Sequence, residues 1–380
     1  MTNITIIGSG LAGYLAATEI NKQAPDLALT MITSDDGIYY LKPALSAALA
    51  QQKSPDDLAM FTPEQMAERL NMKIVTSTEV TQVDAATKSI ITESGNYSYD
   101  KCIFATGSDV IPLNLGQGLE DRVFTVNSLL DYRKFRAKIS EPRKITIIGS
   151  GLVGVEFAND LAANGHHVNL VGEQDYPLPQ MLPQQLGSVL KDAMADYGVK
   201  WFLNETVVAI DESEEQVIVS CKNGTTIESD LVLVAIGIKP NTSLAKRSGL
   251  EVGRGIVVDR MCSTSLPDIY ALGDCAEVSG LNLFYVPPIR KCAAALASTL
   301  QGEPTKVIYP AMPVTVKSPA CPIVSCIPRV DKSLDLSVTG TGRDLVAKYE
   351  SDGILYGFML SGTATKLKLE LSSQVGNWLD

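Results

Sequence analysis

The chain has 380 residues, enough for two or three domains. Hydrophobic residues make up 45% and no run of about 18 apolar residues occurs, so sizeable soluble cores are expected and a membrane-spanning helix is not. Acidic residues outnumber basic ones 43 to 32, and the net charge of -11 excludes the global basic field of a nucleic-acid-binding protein.

The first predicted element is a strand over residues 4–7. It begins almost at once, without a basic stretch and apolar signal core, which points to a cytoplasmic protein. A glycine turn follows: Gly8, Ser9, Gly10, Leu11, Ala12 and Gly13. Its last residues open an apolar helix over 11–22, and a second strand covers 27–33. The same pattern returns at residues 145–148, with a turn of Gly149, Ser150, Gly151, Leu152, Val153 and Gly154, a helix over 152–164 and a strand over 167–171. Each repeat is a βαβ unit of about 30 residues. In such a unit the first glycine permits the tight turn, the second admits a pyrophosphate, and the third lets helix pack on strand. The pyrophosphate then sits at the positive end of the helix.

An acid after the second strand can hold a ribose 2′-hydroxyl and repel a 2′-phosphate. Glu173, 24 residues beyond Gly149, is placed for this, and no arginine follows as far as Gln180, which favours NADH over NADPH. In the first repeat either Asp35 or Asp36, after Ser34, is available for the same task. Two apolar strands then end alike, one in Ala105, Thr106 and Gly107, the other in Ala235, Ile236 and Gly237; each closes one nucleotide unit. A later strand at 269–272 ends in Gly273 and Asp274, an acid that can accept from a flavin ribityl hydroxyl. Pro287 and Pro288 mark the start of a further helix. The two histidines, His166 and His167, are adjacent, so chemistry built on a placed imidazole is not expected. Seven scattered cysteines fit reduced thiols better than a disulfide framework, and no metal-ligand spacing appears.

This order of motifs resembles, over essentially the whole chain, the FAD/NAD-linked reductases of the glutathione-reductase structural class. The resemblance implies an α/β fold of two Rossmann-like dinucleotide-binding domains plus a small α+β C-terminal domain. The FAD-binding domain would take residues 1–110 and 240–310, the NAD-binding domain 111–239, and the interface domain 311–380. Disulfide reductases of this class carry a Cys-x4-Cys pair soon after the first ribose acid; here Tyr40, Lys42, Pro43, Leu45 and Ser46 stand in a cysteine-free loop instead. That loop is similar to one in the iron–sulfur-protein reductases. Residues 280–286 and 314–322 narrow the resemblance to the rubredoxin–NAD reductase group, with the reductases of flavodiiron rubredoxin centres close by. Cys321 and Cys326 have Cys-x4-Cys spacing but lie in the wrong part of the chain for a redox disulfide.

The resemblance implies an enzyme in which NADH reduces bound FAD and electrons pass singly to rubredoxin, in the service of alkane degradation or of nitric oxide removal. It places Glu156 close to the nicotinamide and aims the helix after Val286 at the flavin. Lys42 and Lys317 are candidates for contact with the flavin, and Pro43 and Val80 for lining it. Rubredoxins are usually acidic and so is this chain, but residues 286–317 hold four bases (Arg290, Lys291, Lys306, Lys317) against one acid, Glu303, and are the expected docking region. The alternatives are a flavodiiron or ferredoxin acceptor, an NADH oxidase, and a non-catalytic FAD/NADH-responsive signalling protein. The oligomeric state, monomer or dimer, is left open.

Overall fold

The computed structural model describes residues 2–213 and 216–379. The first nucleotide unit runs β1 (Asn3–Ile7), α1 (Leu11–Gln23), β2 (Ala28–Ile32), β3 (Lys73–Val75) and β4 (Lys101–Phe104). The second runs β5 (Val123–Thr125), α2 (Leu129–Lys138), β6 (Lys144–Ile148), α3 (Leu152–Ala163), β7 (His167–Gly172), α4 (Gln184–Asp196), β8 (Lys200–Leu203) and β9 (Leu231–Val234). The chain then supplies β10 (Ile269–Ala271) and α5 (Val286–Leu300). It ends in β11 (Val314–Val316), β12 (Ile323–Cys326), β13 (Asp335–Thr341), β14 (Asp344–Ser351) and β15 (Ile354–Ser361).

Three five-stranded sheets result. The first has the order β10-β4-β1-β2-β3 and the second β8-β7-β6-β9-β5, both wholly parallel. β1 and β6 are apolar and buried on both faces, as the central strand of a helix-covered parallel sheet must be. The third sheet, β11-β12-β15-β14-β13, is antiparallel. The two repeats fold as the sequence predicts, with helix and strand ends moved by a residue or so. β10 joins the first sheet beside β4, so the chain leaves that unit after β4 and re-enters it. The two connections pair with each other: Ser108–Val110 runs antiparallel to Ile238–Pro240. Thr106 and Asn241 lock this ribbon, the Thr106 hydroxyl donating to the Asn241 carbonyl (2.9 Å) and the Asn241 side-chain amide to the Thr106 carbonyl (3.0 Å).

Packing does not follow chain order. α1 and α5 share the first core with β1, β2, β4 and β10. Leu45, Ala48, Leu49 and Leu58 come from the segment between β2 and β3, yet they are buried with Phe157, Leu161 and Leu170 of the second unit. Val316, Ala320 and Ile323 of the last sheet join that same cluster. The 3-10 turn Lys42–Ala47 therefore leaves the first unit and lies against α3.

Candidate active site

Each glycine turn joins the end of a central strand to the start of a helix, and the three glycines do different work. Gly8 (φ +108°) and Gly149 (φ +115°) sit in the left-handed region that favours glycine, and a Cβ on either would collide with the carbonyl of Ala105 or Ala235. A Cβ on Gly13 or Gly154 would collide with the carbonyl of Gly8 or Gly149, so these glycines set the helix-to-strand approach. Gly10 and Gly151 face open space instead. They are also the N-caps of α1 and α3, and neither helix has a side-chain cap. The first-turn amides thus point into room that a protein side chain does not fill, which fits an anionic pyrophosphate at each turn.

The acids take distinct positions. Asp35 turns back onto the first glycine turn, where its carboxylate accepts from the Ser9 hydroxyl (2.5 Å), the Thr33 hydroxyl (2.7 Å) and the Gly37 amide (2.9 Å). Asp36 is exposed and accepts from the Ile38 amide (3.1 Å). Glu173 is exposed directly after the carboxyl end of β7. Asp274 accepts from the Ser108 hydroxyl (2.8 Å). Asn127 bridges from there: its side-chain amide donates to the Ser108 carbonyl (2.8 Å), and its oxygen accepts from the Lys42 ammonium (3.2 Å). Burial pushes the Lys42 pKa down, against the opposing pull of Asp274, Asp109 and Asp131.

Glu156 is almost fully buried, at 3% exposed, on the second turn of α3. An ionised carboxylate there needs donors from every side. It accepts from the Ser46 hydroxyl (2.6 Å), the Lys317 amide (3.0 Å) and the Lys317 ammonium. The second nucleotide unit, the Lys42–Ala47 turn and the last domain thus meet at one carboxylate. Lys42 and Ser46 stand on one turn, so a paired lysine and a half-buried one flank the start of α3.

Residues 2–301 match the family described as Pyridine nucleotide-disulphide oxidoreductase. This chain belongs to that family. Residues 306–375 of the oxidoreductase match a second description, Rubredoxin binding C-terminal domain. Its sequence is 41% identical over 377 residues to Rubredoxin-NAD(+) reductase of Alcanivorax borkumensis, covering 99% of each chain. It is 38% identical over 385 residues to the Acinetobacter baylyi protein of the same name, covering 99% of this chain and 98% of that one. The solved structure of NADH:rubredoxin oxidoreductase from Clostridium acetobutylicum superposes with a TM-score of 0.80 at 26% identity, over 98% of this chain and 94% of that one. Family membership implies flavin and NAD(H) use, and the two open glycine turns fit two dinucleotides.

Of the three residues expected at the flavin and nicotinamide, Lys317 pairs with Glu156 and Lys42 bonds Asn127. Lys317 is therefore a cation paired with a buried carboxylate. Pro43 is exposed, Val80 is in the first core, and Val286 opens α5, whose N-terminus has no side-chain cap. All seven cysteines are buried free thiols, Cys321 and Cys326 included. Sequence reasoning named Ser46 only as part of a distinguishing loop, without a role, and missed Asn127, Asn159 and Asp160. Only the helical spacing of Glu156, Asn159 and Asp160 hints at one polar stripe, on a helix otherwise apolar enough to be read as core.

Proposed function

We propose that this chain is a rubredoxin–NAD(+) reductase, acting through FAD in the first nucleotide unit and on NADH in the second. FAD, when bound, supplies the conversion of a two-electron hydride donor into a one-electron donor for an iron acceptor. The observation that carries the reading is the pairing of two open glycine turns with a last domain that matches a rubredoxin-binding one. The name shared by the two curated relatives supports it over nearly the whole chain.

The residues divide the work. The amides at Gly10–Gly13 and Gly151–Gly154 would hold the two pyrophosphates. Asp35, rather than Asp36, faces the first turn and would hold the FAD ribose; Ser34 flanks it. Asp274, held by Ser108, would take the ribityl chain. Thr106, Gly107, Ile236 and Gly237 line the two exits. Glu173 would hold the NADH ribose and reject a 2′-phosphate. Glu156, fixed by Ser46 and Lys317, would orient the nicotinamide, and Lys42 would keep a cation beside the flavin. The α5 N-terminus would favour the negative charge of reduced flavin. The domain scheme of 1–110 with 240–310, 111–239 and 311–380 is supported by the way β10 rejoins the first sheet.

Oxidised rubredoxin should be bleached anaerobically by NADH with a trace of the FAD-loaded enzyme, while NADPH and a [2Fe–2S] ferredoxin give little turnover. Rubredoxin left oxidised beside promptly reduced flavin would overturn the acceptor and point to a ferredoxin, a flavodiiron domain or oxygen. Flavin left oxidised by NADH would overturn the enzyme reading itself.

A further inference from the structure

A polar ridge runs along α3 inside otherwise apolar packing. Glu156, Asn159 and Asp160 are 3%, 2% and 3% exposed, yet every one of them finds its donors outside the second nucleotide unit. Glu156 takes Ser46 and Lys317, as above. Asn159 accepts through its side-chain oxygen from the Ala320 amide (3.1 Å) and the Ser318 hydroxyl (3.5 Å). Asp160 accepts from two consecutive backbone amides, one on each oxygen: Leu49 at 3.1 Å and Ala50 at 2.8 Å. These amides lie just past the Lys42–Ala47 turn, which carries Lys42 and Ser46.

We propose that Asp160 is a positioning residue that latches this turn onto the helix springing from the second glycine turn. The role rests on the reading of that helix start as the NADH site. Its chemistry is that of a two-sided acceptor. An ionised carboxylate offers both oxygens to the two N–H groups. A protonated carboxyl donates through its hydroxyl, whose oxygen is a weaker acceptor, so one of the two amide bonds weakens. The same holds for Asp160→Asn, whose amide nitrogen would face an N–H.

The latch is proton-sensitive at a moderately acidic pH. Burial raises Asp160 to about 6, while the Ala50 and Leu49 amides, Arg136 and Lys317 pull the other way. Arg136 and Tyr132 face it from α2, and Lys317 from the loop after β11; the Tyr132 hydroxyl is itself pushed up by burial. His166, near Arg136, is held below its ordinary value by burial, toward the neutral imidazole. Between neutrality and about pH 5, Asp160 therefore gains its proton; one amide bond weakens, but the larger cost of burying the charge is relieved, so the closed turn is favoured over an opened, solvated one.

Hydrogen exchange of residues 42–50 in the FAD-loaded enzyme tests this directly, after correction for the intrinsic pH dependence. Protection in the wild type should rise about tenfold from about pH 7.5 to about pH 5, and Asp160→Asn should lack this dependence and be less protected than the wild type near pH 5. In stopped-flow, NADH should bleach the flavin of Asp160→Asn about tenfold more slowly near pH 7.5, with FAD content unchanged and the acid limb of the wild-type profile flattened. Constant wild-type protection across the range would overturn the latch, and this arm needs no variant to fold. Lost protection in Asp160→Asn with a wild-type bleaching rate and pH profile would leave a structural contact only and overturn the positioning role. A wild type that latches but is not bleached by NADH would instead overturn the functional reading.

Discussion

Gly149 and Gly151 stand two residues apart and should fail differently when given a methyl group. At Gly149 the Cβ meets the Ala235 carbonyl and the backbone is left-handed, so Gly149→Ala strains the fold itself. At Gly151 the Cβ meets nothing in the protein. Gly151→Ala should thus melt within about 2 °C of the wild type yet raise KM for NADH roughly tenfold or more, because the methyl occupies the room meant for a pyrophosphate. Differential scanning calorimetry beside steady-state kinetics separates the two. A normal KM in Gly151→Ala would place the pyrophosphate elsewhere. With Glu173 in its proposed role a neutral residue would remove one ribose bond and one repulsion, so Glu173→Ala should lower the NADH over NADPH preference about tenfold, read from the ratio of kcat/KM values.

At the scale of elements, the decisive piece is α3. Its apolar side builds the second core, where Phe157 meets Phe135 of α2 edge-on at 6.3 Å, and Phe135 meets Phe124 at 5.7 Å. Phe135→Ala should cost about 3–5 kcal/mol in a chemical denaturation series, since its ring is fully buried. The polar side of α3 has the opposite economy. The Asp160 carboxyl binds its proton more tightly in the fold, at about 6, than the roughly 3.9 of an unfolded aspartate. Its ionisation therefore costs global stability above about pH 6, and the cost disappears as pH falls toward about 4. Wild-type stability relative to Asp160→Asn should rise as pH drops from about 7 to about 5, and the local turn should tighten with it. A difference independent of pH would mean that Asp160 titrates at an ordinary value.

For the molecule as a whole, the acid excess contends with an acidic partner. Arg290 and Lys291 are exposed near the start of α5, beside the exposed Phe284 and Pro287. An apolar spot rimmed by cations suits an acidic electron carrier. Reversing Arg290 and Lys291 together should slow association with rubredoxin about tenfold at low ionic strength, with the rates converging near 0.5 M salt. Rates unaffected by either change would move the docking face away from α5. Lys317 is a poor choice for this test, because a carboxylate there would oppose the buried Glu156.

The sequence by itself determined the two nucleotide units. A βαβ turn is a local object: three glycines, a strand before and a helix after carry its geometry within about 30 residues. The repeat, the acids after the second strands and the strand endings were legible for that reason, and the C-terminal motif pointed to the partner class. What only the tertiary structure decided is how the units touch. Nothing local in residues 42–50 says that the turn packs on a helix over 100 positions later. Nothing in Glu156 says that it is buried rather than solvated on a first turn. Such contacts depend on donors brought from two separate parts of the chain, and a buried carboxylate is stable only where all of them arrive together. The contrast between Asp35 and Asp36 has the same origin, as the return of β2 to the first glycine turn sets Asp35 against Ser9 while Asp36 accepts from the Ile38 amide.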